Sequence, residues 1–203
     1  MRAFLSYGKF VLFLSLGFFV ACATLPSMNV TYRTMAESNI LEGREIYFVF
    51  TDTRSDKDII GQGAKEIYKD FSGNINFIVS KGKKDESLVG VYEAESLFKN
   101  AFSIYLENMG LRLLPERKPG TPELVIKLHG FVLDLSGQRW VARILYEAEF
   151  IQDGNVLIRE FRGEGEKIRV FGLIQADQVM SETLTDTVNQ LDIKRMFGYN
   201  TSE

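Results

Sequence analysis

From Arg139 to Gln152 the chain alternates. Trp140, Ala142, Ile144, Tyr146, Ala148 and Phe150 fall on one side, and Arg139, Arg143, Glu147 and Glu149 fall largely on the other. A period of two over a dozen residues puts one face in a core and the other in water, the pattern of a half-buried antiparallel strand. Asp153-Gly154 follows, and such a pair between alternating runs signals a tight hairpin. Upstream, Glu123 to Leu135 places Leu124, Ile126, Leu128 and Val132 on one face, and Ser136-Gly137 supplies the turn into the long strand. Downstream, Asn155 to Val170 returns with Leu157 and Phe161 on the core face. Gly163 and Gly165 continue that face and leave room for a helix to come close. These runs predict a three-strand meander with one face to be covered.

Two stretches have the stripe to cover it. Between Tyr92 and Met109, Leu97, Ala101, Ile104 and Tyr105 recur at helical spacing, and Phe98, Phe102 and Met109 widen the stripe. Gly110 ends this helix as a left-handed cap. Between Asp177 and Met196, Met180, Leu184, Val188 and Leu191 lie one turn apart; Asp177 suits the N-cap, and Lys194-Arg195 suit the C-terminal end. Glu45 to Thr51 is apolar on both faces, as a central strand would be. Asn74 to Ser80 and the short Leu111 to Leu114 also read as strands, while Gly61 to Gly90 is otherwise mixed. The expectation is an α+β fold, a mostly antiparallel sheet containing the meander with two helices packed on one face. It forms a single domain over residues 44–197, followed by a loose tail at 198–203.

The amino terminus gives an address. Arg2 and Lys9 precede an apolar run of 12 residues, Phe10 to Ala21, and then Cys22, the sole cysteine. A positive start, a short apolar run and small residues at a cleavage site make a secretory signal; a membrane-spanning helix needs about 20 apolar residues. Phe19-Val20-Ala21-Cys22 resembles a bacterial lipobox, in which the cysteine becomes the lipidated first residue; Phe19 departs from the usual Leu. Cleavage after Ala23 is the alternative, since Ala21-Cys22-Ala23 fits the small-x-small rule. Lipidation at Cys22 is favoured because a lone cysteine behind an apolar run has no other evident use. Residues 1–21 are then the lipoprotein signal peptide, and residues 22–43 are the lipidated cysteine and a flexible tether, polar around Pro26, Ser27 and Asn29. Acyl chains of the palmitate kind anchor stably when two or more are present. By resemblance to enterobacterial sorting, Ala23 rather than Asp after the cysteine implies the outer membrane, with the inner membrane as the lesser alternative.

Removing the signal leaves 182 of the 203 residues and takes the formal charge from −3 to −5, since Arg2 and Lys9 go with it. An acidic chain argues against nucleic acid and against a polybasic membrane clamp. With one cysteine, no intrachain disulfide is possible in any compartment.

Catalytic patterns are missing. There is no HExxH, no phosphate-binding loop and no GxSxG elbow. Gly61-Gln62-Gly63 and Gly163-Glu164-Gly165 lack the third glycine of a dinucleotide fingerprint. Asp52 to Asp58 holds three aspartates, but the calcium-loop spacing fails, and a turn whose aspartates cap backbone N–H groups explains them better. His129 is the sole histidine and cannot build a multi-histidine metal site. Glu147 and Glu149 share a strand face as paired carboxylates would, yet Arg139 and Arg143 beside them favour a cross-strand charge ladder. No cofactor and no metal are expected.

Four features together resemble the YajG family of uncharacterised bacterial lipoproteins. They are the lipobox; the first strand followed by Asp52-x-Arg54 and Ile60-Gly61; the helix running into Met109-Gly110-Leu111; and the meander followed by Leu184-Thr185-Asp186-Thr187-Val188. More distantly, the layout is similar to auxiliary lipoproteins of envelope lipid and lipopolysaccharide transport. The resemblance implies a membrane-anchored envelope lipoprotein with an α+β domain and no known catalytic residue. The expected function is binding or scaffolding in the periplasm, with an envelope protein or a second copy as partner; the alternative is a lipid-transport auxiliary, possibly oligomeric. The expected interaction surface is the outer sheet face, Arg139, Val141, Arg143, Leu145, Glu147 and Glu149 with Val125, where apolar residues sit amid charges on a face the helices do not need.

Overall fold

The computed structural model describes residues 27–81, 86–170 and 174–198. The strands are β1 (Met28–Arg33), β2 (Glu45–Asp52), β3 (Ile75–Ser80), β4 (Glu86–Tyr92), β5 (Arg112–Leu114), β6 (Glu123–Ser136), β7 (Arg139–Gln152) and β8 (Asn155–Ile168). The helices are α1 (Gln62–Lys65), α2 (Ala94–Asn108), α3 (Ile174–Asn189) and α4 (Ile193–Met196). The fold is α+β, but the strands form two sheets, one ordered β1-β3-β4 and the other β5-β2-β6-β7-β8.

In the larger sheet the meander β6-β7-β8 is antiparallel throughout. β2 is central, as its two apolar faces predict, and it runs parallel to both β5 and β6. The expectation of a mostly antiparallel sheet is therefore corrected to a mixed one. The β7–β8 turn has Asp153 at φ 51° and Gly154 at φ 79°, the left-handed pair that lets a two-residue hairpin follow the strand twist.

The register of β6 departs from simple alternation. Leu128 pairs with Tyr146 and Gly130 with Leu145, so His129 is an extra residue, a β-bulge. Past it the inward set shifts from Leu124, Ile126 and Leu128 to Phe131, Leu133 and Leu135. Phe131 and Leu133 are buried and Val132, expected on the core face, points the other way opposite Arg143. The bulge coincides with the end of β2: Thr53 N–H bonds Leu128 O, and the chain loops out before Ile59 and Gly61 rejoin β6 at Leu133.

Helices α2 and α3 cover the inner face of the large sheet. Phe98 stacks on Phe50 and meets Phe131 edge-on, and Phe102 meets Tyr146 edge-on. Gly110, at φ 89°, ends α2's last turn, where a Cβ would meet the Glu42 backbone at 2.9 Å. Helix α3 ends at Asn189, earlier than expected; Asp192 then caps α4, accepting from Arg195 N–H. Asp177 is in the first turn of α3 rather than at its N-cap.

The small sheet is the main departure. Met28, Val30 and Tyr32 of β1 are fully buried, where a tether over residues 22–43 is expected. The polar composition around Pro26 hid an alternating strand. Its outer edge is closed by α3: Thr31 N–H donates to Ser181 Oγ and Arg33 N–H to Thr185 Oγ1. Hydroxyls one helical turn apart thus take the place of a neighbouring strand. β4, at the opposite edge, leaves Leu88, Val89 and Val91 exposed.

Candidate interaction surface

The outer face of the large sheet carries the expected surface residues in register. Arg139 reaches diagonally to Glu166 of β8 at 2.5 Å, and Arg143 faces Glu164 directly at 2.9 Å. On the other side, Lys127 of β6 reaches both Glu147, at 3.0 Å, and Glu149, at 2.9 Å. Hydrogen bonds to Glu149 and then Glu147 hold the Lys127 ammonium above its ordinary range. A charge ladder is present, but not with the partners expected from the sequence. The glutamates of β7 pair with Lys127, and the arginines of β7 pair with glutamates of β8. Strand register, which local sequence does not specify, decides this.

Of the apolar residues expected on that face, Leu145 and Val125 are half-buried and Val141 is only 6% exposed, between Asp134 and Glu166. Among the described residues, six large apolar side chains on the edge strands are more exposed still. They are Val156, Ile158 and Ile168 of β8 and Leu88, Val89 and Val91 of β4. Alternation on β8 carries the first three; β4 has no alternation of burial and gave no strand signal. Cys22 lies outside the described residues. His129 is exposed at the bulge, its Nδ1 2.9 Å from Thr53 Oγ1. Among the described residues, no three His, Cys, Asp or Glu side chains gather as a metal ion would need.

A second feature lies where β2 leaves β6. Asp52 takes Arg54 in a two-pronged grip, Nε to Oδ1 at 3.0 Å and Nη2 to Oδ2 at 2.8 Å. Arg54 Nη1 donates to Phe131 O at 3.3 Å, on the side of β6 that β2 has left. Lys57 adds a contact to Asp52 Oδ1 at 3.0 Å. Burial pushes the Asp52 carboxyl up, but hydrogen bonds from Arg54 and Lys57 outweigh it and hold the group at about 2. The aspartates do cap backbone groups, since Asp52 Oδ1 accepts Arg54 N–H and Asp56 Oδ1 accepts Asp58 N–H. Yet the Asp52 side chain is only 8% exposed, so it is not a solvated turn residue. Beside this pair opens a cleft of about 580 Å³, with Ile59, Ile60, Tyr68 and Phe71 on its walls and Lys57 and Lys69 among its charged residues.

No protein family profile matches the sequence, and no curated protein matches it. Among solved structures, a Xanthomonas campestris protein of the DUF330 family is 14% identical, with a TM-score of 0.49 over 82% of this chain and 91% of its own. An uncharacterized protein is 13% identical, with a TM-score of 0.48 over 83% and 99%. A lipoprotein of Neisseria meningitidis is 10% identical, with a TM-score of 0.26 over 72% and 99%. At these scores the likenesses assign no activity and no partner.

Proposed function

We propose that this chain is a bacterial envelope lipoprotein. Acyl chains on Cys22 hold it to the outer membrane, and its domain, facing the periplasm, binds or scaffolds other envelope components without catalysis. The observation that carries the reading is the sole cysteine, placed directly behind the apolar run in Phe19-Val20-Ala21-Cys22. What supports a binding role is the outer sheet face. Both long helices pack on the other side, so Arg139, Arg143, Glu147 and Glu149 are left to a partner, either another envelope protein or a second copy. The test is co-purification in mild detergent with Arg143→Glu. Reduced recovery of a partner is expected; unchanged recovery rules this surface out.

A second reading, an auxiliary of lipid or lipopolysaccharide transport, is favoured by the cleft beside Arg54, whose apolar walls and lysines suit an amphiphile. Native mass spectra of the domain after gentle extraction decide it: co-extracted lipid supports transport, and clean protein counts against it.

A further inference from the structure

We propose that the end of the domain where β1 begins lies against the bilayer, with Ile168, Arg169 and Val170 as its lipid-contacting residues. This rests on acylation of Cys22. From Cys22 to Ser27 is five residues, which even fully extended reach at most about 18 Å. Met28 is fully buried and paired with Ile75, so the chain has no more length to give without breaking the small sheet. The lipid anchor therefore holds one particular end of the domain near the membrane.

Hydrogen bonds and register identify what shares that end. Asn29 Nδ2 donates to Asp177 Oδ2 in the first turn of α3, and α3 then follows β1 through Ser181 and Thr185. Strand β8 runs the opposite way along α3. Gly165 packs at Val179 and Thr183, and Gly163 packs further down at Thr187. The carboxyl end of β8 thus meets the amino end of α3 beside Asn29. Ile168 pairs with Arg139 there, and Arg169 N–H bonds Gln138 O in the β6–β7 turn. The opposite end, with the Asp153-Gly154 hairpin, is the length of β7 away, roughly 40 Å at strand rise. A tether half that long keeps the near end within about 18 Å of the anchor's surface, while nothing ties the far end to it.

The near end has the chemistry of a lipid-contacting surface. Ile168 is 62% exposed and Val170 is 63% exposed, large apolar side chains that no described element covers. Arg169 between them makes no ion pair among the described residues, which suits an anionic headgroup. Apolar residues interleaved with a cation sit at the headgroup boundary, one seated in the acyl region and the other at its surface.

The test uses the full chain, purified as the lipoprotein and placed in vesicles of phosphatidylethanolamine and phosphatidylglycerol containing a nitroxide-headgroup lipid. Acylation leaves Cys22 without a free thiol, so a thiol dye labels only an introduced cysteine, Val170→Cys or, at the far end, Asn155→Cys. Intact mass is read on the same samples. Acylated protein with the dye at 170 quenched and blue-shifted, and the dye at 155 unaffected, is the expected result. Replacing Ile168 and Arg169 by Asp should abolish the blue shift while the anchor holds. Acylated protein with the dye at 170 unquenched overturns this proposal and leaves the lipoprotein reading standing. A dye at 170 shielded only by a co-purifying protein overturns it in the same way. A mass without acyl chains overturns the lipoprotein reading itself, and this proposal with it.

Discussion

Gly163 of β8 lies so close to Thr187 of α3 that a Cβ on the glycine would overlap the threonine Oγ1. One turn away Gly165 stands in the same relation to Thr183. Both threonines turn their hydroxyls back onto their own helix, Thr187 to Thr183 O and Thr183 to Val179 O, so each presents no unsatisfied group to the sheet. Gly163→Ala should destabilise the fold by about 2 kcal/mol through overpacking. Thr187→Ala in the same chain should recover part of that loss, because the two sites share one contact. Urea unfolding of the single and double variants reads the coupling; strict additivity would mean the helix shifts freely.

The buried pair gives a pH dependence. The Asp52 carboxyl is held at about 2 against an ordinary value of 3.8. A depressed folded-state value means the stabilisation is complete above about pH 4 and drains away as pH falls through about 2. It amounts to at most about 2 kcal/mol. Asp52→Asn should cost about 3 kcal/mol at neutral pH, because Arg54 is left buried without its counter-charge. The variant should also show a shallower loss of stability in acid. Urea midpoints between pH 2 and pH 7 check both.

Edge closure of β1 by hydroxyls predicts a local effect. Thr185→Ala removes the acceptor for Arg33 N–H, and Ser181→Ala removes the acceptor for Thr31 N–H. Each should cost about 1 kcal/mol. Hydrogen exchange should speed up at Arg33 in the first variant and at Thr31 in the second, with the amides of β7 unchanged.

How much of this was legible in the sequence follows from the range of the forces involved. The meander could be read because period-two alternation and Asp153-Gly154 are local signals, and the Gly163 and Gly165 gap was legible for the same reason. β1 was not: six residues with Met28, Val30 and Tyr32 inward make a weak signal, and its partners lie at Ile75 and Ser181. The bulge at His129 was hidden because it is a matter of β6–β7 register, next to the point where β2 ends, and local sequence does not specify either. The outer face was legible as charged, while its pairing required the register that joins Lys127 to Glu147 and Glu149.

The outer ladder should matter little to folding. Arg143 and Glu164 are both more than half exposed. Arg143→Glu should therefore leave stability within about 0.5 kcal/mol of the parent. Thermal unfolding of this variant alongside the pull-down separates a lost partner from a lost fold.

The central claim is most directly tested by the intact mass of the full-length protein recovered from bacterial membranes, with Cys22→Ser as the comparison. The expected result is a chain beginning at Cys22 and carrying acyl groups in the outer-membrane fraction, with the variant unacylated and released from it. A mass for a chain beginning at Thr24, found in the soluble periplasm, would contradict it.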